Sequence, residues 1–229
     1  MYQNSGSRKE APLSLELYAH PFSSYSQKVL IALYENDTAF EWRMLEGETA
    51  AAQLAALWPL KRFPVLVDDG HAVMEASIIV EHLDLHHPGA VRFLPQDPAA
   101  ALFVRMMDRF CDNYIMTPMQ TIVLDAIRPQ ADRDPLGVAQ ARTMLEAAYR
   151  WLDGAMASRR WAAGEQFSLA DCAAAPALLY ADWAHPVDAA LTHVHAYRRR
   201  LLERPSFARA VDEARPYRSY FPLGAPDRD

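Results

Sequence analysis

Leu15-Glu16-Leu17-Tyr18-Ala19-His20-Pro21-Phe22-Ser23-Ser24-Tyr25-Ser26-Gln27-Lys28-Val29 is the stretch whose reading decides the fold. Leu13, Leu15 and Leu17 alternate with Ser14, Glu16 and Tyr18, the two-residue period of a half-buried strand, and the turn at His20-Pro21 ends it. From Ser26 the apolar residues Val29, Leu30 and Leu33 recur at helical spacing. Asn36-Asp37 stops that helix, and a second alternating run follows at Phe40, Trp42 and Met44. A strand, a crossover helix and a strand predict two parallel strands.

Working outward, Ala50 to Trp58 is Ala-rich and helical. Pro64-Val65-Leu66-Val67, Asp68-Asp69-Gly70 and Ala72-Val73-Met74 then predict an antiparallel hairpin with an Asp-Gly turn. After Glu75, the residues Ala76, Ile79, Val80 and Leu83 fall on one face of a third helix. The order βαβ-α-ββ-α predicts an α/β domain of thioredoxin-like type over residues 13–88, preceded by a polar, disordered tail at 1–12. Pro88-Gly89 and Pro95-Gln96-Asp97-Pro98 mark a linker over 89–97.

Residues 98–229 read as an all-α bundle. Ala99 to about Ile127 is one long helical pattern. Asp134-Pro135 supplies a cap and a first-turn proline for the next helix. Ser168-Leu169-Ala170-Asp171 has the form of a capping box opening a helix that Pro176 should bend. Two more helices are expected, at Asp188 to Glu203 and Ser206 to Ala214.

With 229 residues, 51% of them apolar, the chain can bury a substantial core. Lys and Arg number 23 against 29 Asp and Glu, a formal charge of -6, which points away from nucleic acid. Cys111 and Cys172 form no CxxC or metal-spaced set and are expected to be buried thiols in a reducing compartment. No run of apolar residues reaches the ~20 needed to span a bilayer, so a soluble protein with no membrane partner is expected. The eight histidines include His86-His87 and His193-x-His195, but no second cluster stands at a metal-site spacing, so no metal is expected.

Several residues admit two readings. Ser23 or Ser24 stands where a serine caps the first helix, and equally where a hydroxyl could face a ligand. Glu75 is a first-turn acid favourable to the helix dipole, or a ligand for an ammonium beside the unpaired amides of Ala76 and Ser77. Lys61 and Arg62 are loop cations free to meet a carboxylate. Lys28 and Arg43 read as solvated charges, and Tyr18 as a packing residue. Met106, Met107, Phe110, Tyr114 and Met116 could line an apolar pocket, or form core or subunit interface.

Three blocks together resemble the cytosolic glutathione S-transferase superfamily: Leu17 to Val29; Phe63-Pro64-Val65-Leu66 with Glu75 to Leu83; and Phe167-Ser168-Leu169-Ala170-Asp171. The double serine is most similar to the serine-type classes, theta- and zeta-like, with the maleylacetoacetate isomerases among them. The resemblance implies glutathione as co-substrate, a cis peptide before Pro64 and strand-like pairing of the tripeptide with Phe63. It also implies a cytoplasmic homodimer that conjugates the thiolate to a small apolar electrophile. Glutathione-dependent cis-trans isomerisation and a non-catalytic binding module are the alternatives. Ser23 matches the catalytic serine, with Ser24 as its understudy; Lys61, Arg62, Phe63, Pro64, Glu75, Ala76 and Ser77 match the tripeptide site. Ala76 departs from the usual serine after the acidic residue, which puts affinity in doubt unless Ser77 supplies the hydroxyl.

Overall fold

The computed structural model describes residues 15–229; the expected tail at 1–12, and Leu13, lie outside the described residues. β1 (Leu15–Ala19), α1 (Ser24–Glu35) and β2 (Glu41–Met44) form the crossover unit, and β1 and β2 pair in parallel. α2 (Gly47–Leu57) leads to β3 (Val65–Asp68) and β4 (His71–Met74), which pair antiparallel around Asp69 and Gly70, both with positive φ as a tight hairpin requires. β1 also pairs antiparallel with β3, so the sheet order is β2-β1-β3-β4. The Phe63–Pro64 peptide is cis.

α3 (Ala76–His86) closes the first domain, burying Ile79, Val80 and Leu83 against α1 and the sheet. The following segment is tied down: Asn36 brackets Val91 with two hydrogen bonds (3.0 and 2.8 Å), and Phe93 is buried.

The helical domain comprises α4 (Pro98–Phe110), α5 (Thr117–Ala126), α6 (Pro135–Met156), α7 (Leu169–Ala184), α8 (Thr192–Leu202) and α9 (Pro205–Ala214). The expected single helix from Ala99 to Ile127 is interrupted by a π-turn at Cys111–Met116. Pro118 has no N–H to return to the Tyr114 carbonyl, and the Thr117 amide and hydroxyl both reach back five residues to the Asp112 carbonyl, the hydroxyl at 2.9 Å.

α7 runs through the centre of this domain and keeps its helical form across Pro176. Its start carries the expected capping box. The Asp171 carboxylate accepts from the Ser168 amide (2.9 Å) and hydroxyl (3.1 Å), the Ala162 amide (2.8 Å) and the Tyr197 hydroxyl (2.6 Å). Cys111 and Cys172 are buried free thiols in this core, and burial pushes both well above the usual thiol range. Among the described residues no helix is long and apolar enough to cross a membrane.

Candidate active site

A cleft of about 450 Å³ lies where the first domain meets the end of α4. The first domain contributes Ser23 and Tyr25 from the start of α1, Trp58 and Lys61 to Pro64 from the loop before β3, and Glu75 and Ala76 from the start of α3. The helical domain contributes Arg109, Asp112, Asn113 and Gln120.

Ser23 is the N-cap of α1, with its hydroxyl oxygen accepting the Ser26 amide at 3.3 Å. A hydroxyl has one hydrogen and two lone pairs, so capping occupies an acceptor site and leaves the O–H free to donate into the cleft. The turn carrying it is held from both sides. The Ser23 amide donates to the His20 carbonyl (3.0 Å), while Tyr180 of α7 donates to the Phe22 carbonyl (3.1 Å) and accepts from the buried Gln27 side chain (3.0 Å). Ser24 begins α1 one residue on; the helical turn swings its side chain into the protein, where it is buried and does not line the cleft. Tyr25 does line the cleft, and burial first, then the nearby Asp112 carboxylate, pushes its hydroxyl up to about 12. It is therefore a protonated donor at neutral pH. Tyr18 lies on the sheet, away from the cleft.

Across the cleft, Glu75 sits at φ 69°, a left-handed conformation that costs a residue with a side chain roughly 1–3 kcal/mol and concentrates at functional sites. No side chain caps α3, so its first amides open onto the cleft beside Ala76. Exposed Lys61 and Arg62 stand on the opposite lip. Among the described residues, no hydrogen bond occupies the Phe63 backbone amide or carbonyl.

Ser77 does not line the cleft. It is buried below it, accepting from Lys28 Nζ (2.8 Å) and Arg109 and donating to Asp108 Oδ2 (2.9 Å). Its hydroxyl cannot substitute for one missing at Ala76. Lys28, read from the sequence as solvated, is 1% exposed and paired with Asp108 Oδ1 (2.5 Å) and Asp112 Oδ2 (3.0 Å). It lies on the face of α1 that packs against α3 and the helical domain, a burial that only the partner carboxylates permit. Arg109 completes the network through Asp108 Oδ2 (2.8 Å) and Asp112 Oδ2 (2.6 Å) and carries it into the cleft. Burial raises the Asp112 pKa, with the Lys28 charge opposing the shift and Asp108 adding to it. Arg43 is exposed as expected, paired with Glu16 at 2.7 Å.

The residues proposed for an apolar pocket do not line this cleft. Met107, Phe110 and Met116 are in the core, while Met106 and Tyr114 face outward elsewhere. The helical period that suggested them is a core period, and the cleft wall is instead polar: Arg109, Asp112, Asn113 and Gln120. Asp112-Asn113, six and five residues before Pro118 and between the apolar Phe110-Cys111 and Tyr114-Ile115-Met116, was the available sequence signal for this wall. Among the described residues, no group of three or more metal-ligating side chains lines the cleft. Away from it Asp68, His82 and His87 converge, a grouping that sequence spacing alone did not reveal.

Residues 17–90 match the family model for the glutathione S-transferase N-terminal domain and residues 134–200 that for the C-terminal domain. Glutathione S-transferase U10 of Arabidopsis thaliana is 31% identical over 56% of this chain, so the match spans about half (52%) of that relative's length. A maleylacetoacetate isomerase of Dictyostelium discoideum is 25% identical over 87% of this chain and 94% of its own. The crystal structure of a glutathione S-transferase from Methylobacterium radiotolerans, in complex with glutathione sulfonate, superposes with a TM-score of 0.75 at 30% identity, covering 86% of this chain and 94% of that one. Two domain models in the right order, a structural match over 86% of the chain and a cleft at the domain junction agree: the chain belongs to the glutathione S-transferase family.

Proposed function

We propose that this chain is a serine-type glutathione transferase that conjugates the glutathione thiolate to a small electrophile. The observation that carries the reading is the Ser23 hydroxyl, which caps α1 through its oxygen and keeps its O–H for the cleft. A free thiol of this kind ionises near pH 8.5. A hydroxyl donor and the positive end of α1 both favour the charged form and lower that value. Phe63, with its backbone groups unoccupied, would pair with the tripeptide backbone in the manner of an added strand. The bare start of α3 would take the γ-glutamyl carboxylate, Glu75 the ammonium, and Lys61 with Arg62 the glycyl carboxylate.

In the conjugation a sulfur lone pair forms the sulfur–carbon bond while either the acceptor's leaving group departs with the electron pair of the bond that breaks, or the π pair of a conjugated double bond is displaced onto the acceptor and then takes up a proton. The thiol proton is lost to solvent beforehand. The polar wall from Arg109 to Gln120 favours an electrophile that carries hydrogen-bonding groups over a purely apolar one. Exposed Ile78 and Leu85 on α3, with Leu102 and Met106 on α4, support a homodimer.

The test is retention on a glutathione matrix together with the ultraviolet absorbance of bound thiolate. Wild type should show both, and Ser23→Ala should be retained without the absorbance. Retention of wild type without a thiolate signal would make the chain a binding module and overturn the transferase reading. The likeness to a maleylacetoacetate isomerase, 25% identical over 87% of this chain, favours a second reading, in which the thiolate adds to a conjugated diacid, the bond rotates and the thiolate is expelled again. Product analysis separates the two: isomerisation returns glutathione unchanged.

A further inference from the structure

The Asp68, His82 and His87 side chains meet at the end of α3 farthest from the cleft. Asp68 closes β3 at the hairpin, His82 stands in the last turns of α3 and His87 is its C-cap. Both imidazole Nε2 atoms lie 2.7 Å from the same carboxylate oxygen, Asp68 Oδ2. The three ligand atoms lie within 4.8 Å of one another. Their side chains are 12–21% exposed, so the cluster is screened by protein yet open to entry on one side.

We propose that this cluster binds one divalent transition-metal ion of the zinc class. Two imidazole nitrogens and one carboxylate oxygen form a donor set suited to zinc, nickel or copper and poorly suited to magnesium or calcium, which take oxygen ligands. An ion about 2.0–2.1 Å from each ligand in tetrahedral geometry needs ligand atoms roughly 3.3 Å apart. The two nitrogens therefore draw back about 0.6 Å from the oxygen to admit the ion. In the structure each Nε2–H donates to Asp68 Oδ2; to hold the ion each imidazole moves that proton to Nδ1 and offers a bare Nε2, and the ion replaces the two hydrogen bonds. The remaining coordination position faces the open side and takes water. The ion would fasten the C-terminal end of α3 to β3, roughly 16 Å along the helix axis from Ala76. The site is independent of the glutathione reading and stands or falls separately.

The test uses the full chain without an affinity tag, stripped with a chelator and titrated with zinc(II) by calorimetry, alongside cobalt(II) absorption spectroscopy. One zinc per chain should bind with micromolar or tighter affinity, cobalt(II) should give the visible band of a four-coordinate site, and saturating zinc should raise Tm by roughly 5 °C. His82→Ala, His87→Ala and Asp68→Asn should each weaken binding tenfold or more, while His193→Ala, at an exposed histidine elsewhere, should not. Absence of saturable zinc binding by the wild-type chain would overturn the proposal without reference to any variant's folding. Binding that His193→Ala weakens as much as His82→Ala would overturn it too.

Discussion

Lys28 Nζ lies 2.5 Å from Asp108 Oδ1, and neither side chain exceeds 2% exposure. This pair joins α1 of the N-terminal domain to α4 of the helical domain directly beneath the cleft. Removing one partner of such a pair leaves an uncompensated buried charge, typically at 3–5 kcal/mol. Lys28→Met should therefore lower the unfolding free energy by about that amount in urea titrations. Adding Asp108→Asn should recover part of the loss, and an additive loss would count against the pairing.

Ser23 carries two roles that one substitution can separate. Glycine at an N-cap costs only a few tenths of a kcal/mol relative to serine. Ser23→Gly should leave Tm nearly unchanged while lowering transferase rate roughly 10–100-fold at neutral pH, since the thiol then loses the hydroxyl donor and ionises closer to its ordinary value. The deficit should shrink as pH passes about 8.5, where the thiol loses its proton unaided; a pH-independent deficit would point to misplacement instead.

Ala76 is an opportunity for gain. A hydroxyl placed there could donate to a bound carboxylate, and a hydrogen bond to a charged group is worth roughly 1.5–3 kcal/mol. Ala76→Ser should lower the KM for glutathione about tenfold or more with little change in kcat. Initial-rate kinetics over glutathione concentration check this.

Tyr180 orients the active turn from the other domain through the Phe22 carbonyl at 3.1 Å. Tyr180→Phe leaves that carbonyl and the Gln27 amide without this partner and should cost about 1–3 kcal/mol by thermal or denaturant unfolding. Glutathione KM should rise as well, because Ser23 is the next residue along.

Asp171 is raised to about 6, burial outweighing its hydrogen bonds to the Ala162 amide, Tyr197 and Ser168. A folded-state value above the unfolded one means that the contribution is complete below about pH 3.8 and lost as pH rises through about 6. The stability advantage of wild type over Asp171→Asn should accordingly narrow between pH 4 and pH 7, by an amount on the order of 3 kcal/mol. Paired urea titrations across that range measure it, and an advantage that widened would contradict the assignment.

Local patterns carried the architecture. The alternation at Leu15 and Leu17, the Asp69-Gly70 turn and the Ser168/Asp171 box each encode a backbone choice within a few residues, and each appears as read. Seven of the nine candidate site residues line one cleft: Ser23, Glu75 and Ala76 at strand-to-helix junctions and Lys61 to Pro64 in the loop that enters β3, all brought to one end of the strands by the antiparallel pairing of β3 with β1 and β4. Ser24 and Ser77 do not: adjacent residues on a helix point in different directions, and only packing decides which one faces the cleft.

What lay beyond local reading were relationships between distant segments. Lys28 looks like any surface lysine until α4 brings Asp108 and Asp112 to it. Asp68, His82 and His87 have no metal-site spacing until β3 and α3 lie side by side. The cleft's polar wall depends on a π-turn whose cause, Pro118, is visible in the sequence but whose direction is not. The sequence by itself determined the order of strands and helices, the caps and the family, because hydrogen bonding and hydrophobic period act over short spans. Tertiary structure alone decided which charges are buried and which side chains share a site, because electrostatic and metal-ligand interactions depend on distance in space, and burial multiplies their strength.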